Sequence, residues 1–293
     1  MMSHKLALGT VQFGLQYGVA NTSGKVGIKE VGNILQLAKA VGISTLDTAI
    51  AYGDSEDCLG QIGVQSWSVI TKLPAMPADV DVSAWVQTQV TSALKRLRLE
   101  KLDALLLHRS NDIVGKYASA YQEALCNLKS QGLCKSVGVS IYSPEELDLI
   151  WSHSSGWRPD IIQAPLNVLD QSLINSGWLN KLNAQGVHVH TRSTFLQGLL
   201  VMPSQNRPAF FNPWHPLLNR WLEWCQNQSI SPLKAALNFV CNHPSIEKVV
   251  IGVDSAEQLK EILDELSVHC PKPPNDLICE DINLINPSRW KLV

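Results

Sequence analysis

Short apolar runs, half of them ending on a polar residue, recur along this chain and alternate with stretches of helical periodicity. The runs are Lys5–Val11, Thr45–Ala49, Ser68–Lys72, Ala104–His108, Ser136–Ser140, Ile161–Pro165, Val187–Thr191 and Lys248–Gly252, and each has the length of a buried strand. Between them the apolar positions change period. Val31, Ile34, Leu35 and Ala38 are spaced for one helix face, as are Leu259, Ile262, Leu263 and Leu266. Ser143-Pro144-Glu145-Glu146 supplies an N-cap, a first-turn proline and two acids suited to a helix dipole. Ser231-Pro232 and Ser255-Ala256-Glu257 carry the same signal. Strand–helix alternation predicts a parallel sheet. Eight such units without a linker predict an α/β fold, a closed (β/α)8 barrel of TIM type, as one domain over residues 1–293.

One segment interrupts the regularity. After the seventh run come Pro203–Pro216, with Phe210, Phe211 and Trp214, and then a helical stretch with Trp221 and Trp224. The loop aromatics suit a cover over the barrel mouth or a core cluster outside it; Trp221 and Trp224 suit core packing. With 45% hydrophobic residues the chain can bury a large core, and a formal net charge of -2 points away from nucleic acid and anionic membranes. No run approaches a membrane span and the first residues lack a signal-peptide core, so a cytoplasmic protein is expected. The seven scattered cysteines read as free thiols.

The polar residues at the strand ends carry the chemistry. Asp47 closes one run with Tyr52 five residues later, Lys72 closes the next, and His108 the one after. In a parallel barrel these ends converge on one face. A tyrosine hydroxyl can donate a proton to a carbonyl oxygen, and a neighbouring ammonium favours the phenolate and lowers its pKa from about 10. Lys72 fits that part, with Asp47 as the carboxylate a buried ammonium requires. His108 fits a carbonyl-orienting role. No side chain donates hydride, so a nicotinamide cofactor is the expected source.

These residues stand in a context that resembles the aldo-keto reductase family. Asp47-Thr48-Ala49-Ile50-Ala51-Tyr52-Gly53 matches its D-T-A-x-x-Y-G element, and Ser55-Glu56-Asp57-Cys58-Leu59-Gly60 matches the S-E-x-x-L-G that follows. Thr71-Lys72 and Leu107-His108-Arg109 stand where the family has its lysine and histidine. The resemblance runs from Leu8-Gly9-Thr10 to Gln258-Leu259. It implies catalytic roles for Asp47, Tyr52, Lys72 and His108, with Tyr52 as proton donor. It also implies a dinucleotide site that includes Gly9 and Thr10, with a nicotinamide end at Asp47, Ser140 and Gln163 and a pyrophosphate path along Ser193, Leu196 and Gly198. The adenosine end would lie at Gly252, Asp254 and Gln258.

Two positions depart from the family pattern. Gly138-Val139-Ser140-Ile141-Tyr142 has Ile141 where the family has an asparagine, and Arg192 stands where a tyrosine usually stacks on the nicotinamide. A guanidinium is planar and also stacks on rings. No basic residue lies between 251 and 258, and Asp254 would repel a 2′-phosphate. The family mostly uses NADP(H), which is the expected cofactor, with NAD(H) the competitor. The expected activity is reversible carbonyl reduction on a small molecule by a metal-independent monomer. Two rivals stay open: a nucleotide-binding, reductase-like regulatory subunit with negligible turnover, and an unrelated barrel lyase or isomerase using Lys72 as a Schiff base. Ser110, Asn111, Asp112 and the Phe210–Trp214 segment are the candidate pocket walls. His188 and His190 lie two apart on one strand, suiting the barrel wall or a two-histidine metal site.

Overall fold

Each of the eight apolar runs forms a parallel strand in the computed structural model, which describes residues 2–21, 23–153 and 156–291. The strands are β1 (Leu6–Gly9), β2 (Thr45–Asp47), β3 (Ser68–Leu73), β4 (Leu102–Leu107), β5 (Cys134–Ser140), β6 (Ile161–Pro165), β7 (His188–Arg192) and β8 (Lys248–Gly252). They pair in sequence order and β8 returns to β1, so the sheet closes into the expected (β/α)8 barrel. β1 is shorter than its apolar run, because Val11–Phe13 turns into a single 3-10 coil. β2 formally stops at Asp47, yet Thr48 and Ile50 still donate to Ile70 and Lys72 of β3, at 2.8 and 3.2 Å. The sheet therefore carries the chain up to the threshold of Tyr52.

Side-chain alternation sorts the barrel into layers. Ile70, Ala104, Leu106 and Ile161 form an apolar plug of their own inside the cylinder. Two residues further along the same strands stand Lys72, His108 and Gln163, with Ser140 paired to Gln163 across β5 and β6. The polar layer thus has a dry floor. Outside the sheet, the helices bury their stripes against the strands, including Val31, Ile34, Leu35 and Ala38 of Ile28–Ala40. Two of the three expected caps form through the serine side chain: Ser231 accepts from Lys234 N–H and Ser255 from Gln258 N–H. Helix Ala256–Asp264 ends before Leu266, which still leans on the core.

The segment after β7 builds a second core rather than a cover. Phe211 is fully buried with Leu196, Leu199, Leu200, Leu218 and Trp221. The Trp221 indole N–H donates to Leu200 O at 2.8 Å and its ring stacks on Trp224, 5.6 Å between centroids. The C-terminal stretch joins this cluster: Trp290 meets Phe211 edge-on at 4.8 Å, and its N–H donates to Leu284 O. Phe211 is therefore no pocket wall, because the residues from 277 to 290 give it an apolar bed that the sequence pattern did not reveal. All seven cysteines are free, and among the described residues no helix is long and apolar enough to cross a membrane.

Helix Ser55–Ile62 ties the floor of the site to the outer shell. Glu56 is buried, accepts from Thr71 Oγ1 at 2.6 Å, and pairs with Arg96 of helix Val82–Leu97 at 2.6 Å. Thr71 immediately precedes Lys72, so this carboxylate pins the strand that presents the amine. Removing Glu56 leaves the buried Thr71 hydroxyl and the part-exposed Arg96 without their acceptor, at a cost of about 1–3 kcal/mol. Glu56→Ala should lower the urea midpoint by an amount corresponding to roughly that loss, with an unchanged slope. Wild-type stability in the variant would refute this anchoring.

Candidate active site

The residues expected to act together emerge at one rim. Asp47 pairs across the sheet with Gly9 and with Ile70, two residues short of Lys72. Lys72 Nζ donates to Asp47 Oδ1 at 2.5 Å and to Thr48 O at 2.8 Å. The other carboxylate oxygen, Oδ2, accepts from Gln163 Nε2 at 2.7 Å. Lys72 is 1% exposed and Asp47 3%, so a full ion pair sits out of water. Burial pushes the Lys72 ammonium below its ordinary range, and Asp47 opposes that shift by attraction and hydrogen bonding.

Tyr52 leans over this pair. The Lys72 ammonium lies 5.2 Å from its ring centroid, and His108 meets the ring edge-on at 5.8 Å. The turn holding Tyr52 is seated by two glycines: a Cβ on Gly14 would fall 1.8 Å from Tyr52 O, and one on Gly53, at φ 57°, 2.5 Å from Gly14 O. The tuning differs from the sequence expectation. Burial raises the Tyr52 phenol and the Asp47 charge raises it further, with Arg192 pulling the other way. Lys72 directs two of its three donors to Asp47 and Thr48. Tyr52 is held as a neutral acid at ordinary pH, the state a proton donor needs.

Behind the polar layer, Ser140 and Gln163 are buried at adjoining strand ends, and Thr10 Oγ1 accepts from Ser55. Gly9 and Gly252 lie side by side on β1 and β8. The Gln12 amide fills the space above Gly252, where a Cβ would come within 2.4 Å of Nε2. Sequence reasoning missed Gln12 and Tyr17, since no periodicity marks a residue inside an irregular loop. That loop reaches over β8: Tyr17 accepts from Gln197 Nε2 at 3.1 Å, Ala20 covers Gly198, and Asn21 Nδ2 donates to Asp254 Oδ1 at 3.0 Å. Ser193, Leu196 and Gln197 carry positive φ values of 65°, 47° and 54°, strain of the kind concentrated at ligand clamps. The Leu196 side chain belongs to the second core, so only its backbone faces the groove.

Arg192 does not stand free as a platform. Its guanidinium lies 4.3 Å from the Tyr142 ring centroid, donates to Ile141 O at 2.9 Å and to Ser193 Oγ at 3.2 Å. Tyr142 is placed in turn by Glu146, whose carboxylate accepts from the N–H groups of Tyr142 and Ser143 at 2.7 and 2.9 Å and also from Ser110. Ser110 is thus a brace between β4 and β5 more than a wall of the pocket. At the opposite end of β7, His188 pairs with Glu247 and His190 Nε2 lies 3.9 Å from the same carboxylate. Among the described residues no cluster of three His, Cys, Asp or Glu side chains is arranged to hold a metal.

His108 is held as a neutral imidazole. Burial, then the charges of Lys72, Arg192 and Arg109, bring its pKa from 6.5 to about 4 against the pull of Asp47. The unfolded chain takes up this proton as the pH falls through about 6.5, and the folded one only near 4, so folding stability drops across that window and levels off below it. Between pH 6.5 and 4.5 the group accounts for a loss of about 2 kcal/mol. In urea titrations His108→Gln should lose about 2 kcal/mol less than the wild type over that interval. Identical losses would show that the imidazole titrates normally.

Comparison with known proteins places the fold in a family. The sequence profile of the aldo/keto reductase family matches residues 5–277. The L-glyceraldehyde 3-phosphate reductase of Escherichia coli (strain K12) is 24% identical over 271 residues, covering 80% of this chain and 78% of that protein. The D-arabinose 1-dehydrogenase of Saccharomyces cerevisiae is 25% identical over 257 residues, covering 80% and 76%. Among solved structures, an aldo-keto reductase from Bacillus halodurans in its holo form superposes with a TM-score of 0.73 at 20% identity, covering 93% of this chain and 89% of that one. With a closed eight-stranded barrel and a profile match over nearly its whole length, this chain belongs to the aldo/keto reductase family of oxidoreductases.

Proposed function

We propose that the protein interconverts a small-molecule carbonyl and its alcohol with a nicotinamide dinucleotide, and that Tyr52 delivers the proton. The observation that carries this reading is the buried Lys72–Asp47–Gln163 chain beneath a phenol held neutral. The dinucleotide supplies hydride when bound. Tyr52 Oη gives its proton to the carbonyl oxygen, while His108, neutral, donates one hydrogen bond from its ring N–H to orient that oxygen. Lys72 and Asp47 keep a fixed, neutralised platform below. The Lys72 amine is committed as a paired ammonium, which speaks against Schiff-base chemistry.

The residues along the rim fit such a cofactor. Gln12 Oε1 and Thr194 Oγ1 are buried without partners beside β8 and β7, as polar atoms awaiting a ligand would be. Asp47, Ser140 and Gln163 would hold the nicotinamide end, and the backbone of Ser193, Leu196 and Gly198, together with Gly9 and Thr10, the pyrophosphate. At the adenosine end, near Gly252, Asp254 and Gln258, the helix amides are already engaged. Ala256 N–H donates to Glu30 Oε1 at 2.7 Å, Asp254 N–H to Gln258 Oε1 at 2.7 Å, and Gln258 N–H to Ser255 Oγ. Two carboxylates, Glu30 and Asp254, stand where a 2′-phosphate would need cations. We therefore place NAD(H) ahead of the NADP(H) that the family resemblance implies. The protein is expected to act in the cytoplasm as a monomer.

Two measurements test the proposal. Tyr52→Phe should lower carbonyl reduction by about a hundredfold or more while dinucleotide affinity, read by cofactor fluorescence, stays near the parent value. Parent-level turnover would remove Tyr52 from the chemistry, and binding without turnover of any carbonyl by the wild type would favour a regulatory subunit. In a titration of the wild type, NADH should bind about tenfold tighter than NADPH, like charges at close range costing on the order of 1.4 kcal/mol. Tighter NADPH binding would contradict the assignment of Glu30 and Asp254.

A further inference from the structure

We propose that the carbonyl substrate is an anion, carrying a carboxylate or phosphate group that Arg192 binds at the rim of β7. The inference rests on the carbonyl-reduction reading above and names its substrate class.

Arg192 is a partly buried cation whose contacts are all neutral. Its two hydrogen bonds go to the Ile141 carbonyl and the Ser193 hydroxyl, and its flat face lies against Tyr142. Among the described residues no carboxylate forms an ion pair with it. Asp47, the acid of the polar layer, is consumed by Lys72 and Gln163. Asp170 is within electrostatic range of Arg192, but one of its oxygens accepts from both the Ser172 hydroxyl and N–H. With Tyr52 and His108 neutral, the cluster of Asp47, Lys72 and Arg192 bears one net positive charge, and Arg109 adds to the field at His108. The whole chain is net negative, at -2, so this rim runs against its average.

A partly buried cation without a counter-ion keeps an unmet attraction for an anion, and a guanidinium presents a planar fork matched to carboxylate and phosphate oxygens. Tyr142, Ile141 and Ser193 hold the group in one orientation before any ligand arrives, which limits the entropy lost on binding. An anionic oxygen group here has two sources, the substrate or the dinucleotide's pyrophosphate. The placement favours the substrate. The charge of Arg192 is felt by Tyr52 and His108, the groups at the reacting carbonyl. The strained stretch from Leu196 to Gly198 lies further along the loop, beneath Tyr17 and Ala20.

The test compares an acid with its uncharged ester on the full-length protein. Using reduced dinucleotide, kcat/KM is measured for succinic semialdehyde and for its methyl ester. The wild type should prefer the acid by about tenfold or more, the scale of one charge-assisted hydrogen-bond pair. Arg192→Met should bring the acid-to-ester ratio near one, and Arg192→Lys should recover part of it. The ratio cancels any effect on the shared dinucleotide, whose affinity is followed separately by fluorescence. Equal turnover of acid and ester by the wild type overturns the proposal and leaves the carbonyl-reduction reading intact. So does an unchanged ratio in Arg192→Met accompanied by weakened dinucleotide binding, which would give the charge to the cofactor. If neither carbonyl nor any other is turned over, the underlying reading fails and this inference with it.

Discussion

An ion pair removed from water at the end of a barrel organises this protein's rim. Lys72 and Asp47 are both almost wholly buried, and neither could remain charged there alone. The pair persists because hydrogen bonds brace both partners: Thr48 O takes a second Lys72 proton and Gln163 donates to the second Asp47 oxygen. The apolar plug of Ile70, Ala104, Leu106 and Ile161 closes the space below. What lies above is thereby constrained. Tyr52 rests on the ammonium, His108 stays neutral in its field, and the phenol feels Asp47 more than Lys72. A buried pair of this kind adds little to stability in itself. Its value is geometric, since it fixes three charged or polar atoms against a rigid sheet.

Much of this was legible in the order of residues. Asp47, Lys72 and His108 end apolar runs, and parallel strands bring such ends together whatever the intervening helices do. Tyr52 could be placed because only a short turn separates it from β2. The layers inside the barrel also follow from alternation, given which residues face inward. Other features depend on contacts that no local pattern encodes. Phe211 joined a second core because the C-terminal stretch folds back on it, a partner some eighty residues away in sequence. Gln12, Tyr17 and Asn21 gained their positions from an irregular loop crossing to the β7 and β8 junctions. Arg192 was singled out as a departure, yet its lodging on Tyr142 depends on Glu146 turning back to hold that residue.

The distribution of charge around the rim gives the site a direction. The side near β5 and β7 carries the unpaired guanidinium, whereas the β8 junction carries Glu30 and Asp254. An anion is attracted to the first and repelled by the second. Such a gradient orients a ligand before contact and sorts it by charge, an effect that weakens as salt rises. On the proposed reading it also separates two tasks: recognising what is reduced and recognising what reduces it.

The coupling between Asp47 and Lys72 is the point at which the account is most exposed. A double-mutant cycle on carbonyl reduction, with Asp47→Asn, Lys72→Met and the combined variant compared by kcat/KM, measures it directly. If the two side chains act as one platform, each single change removes most of the rate and the second adds little, so the combined loss falls well short of the product of the two. Losses that multiply independently would mean that the amine and the carboxylate serve separate ends, and the pair would no longer explain the site.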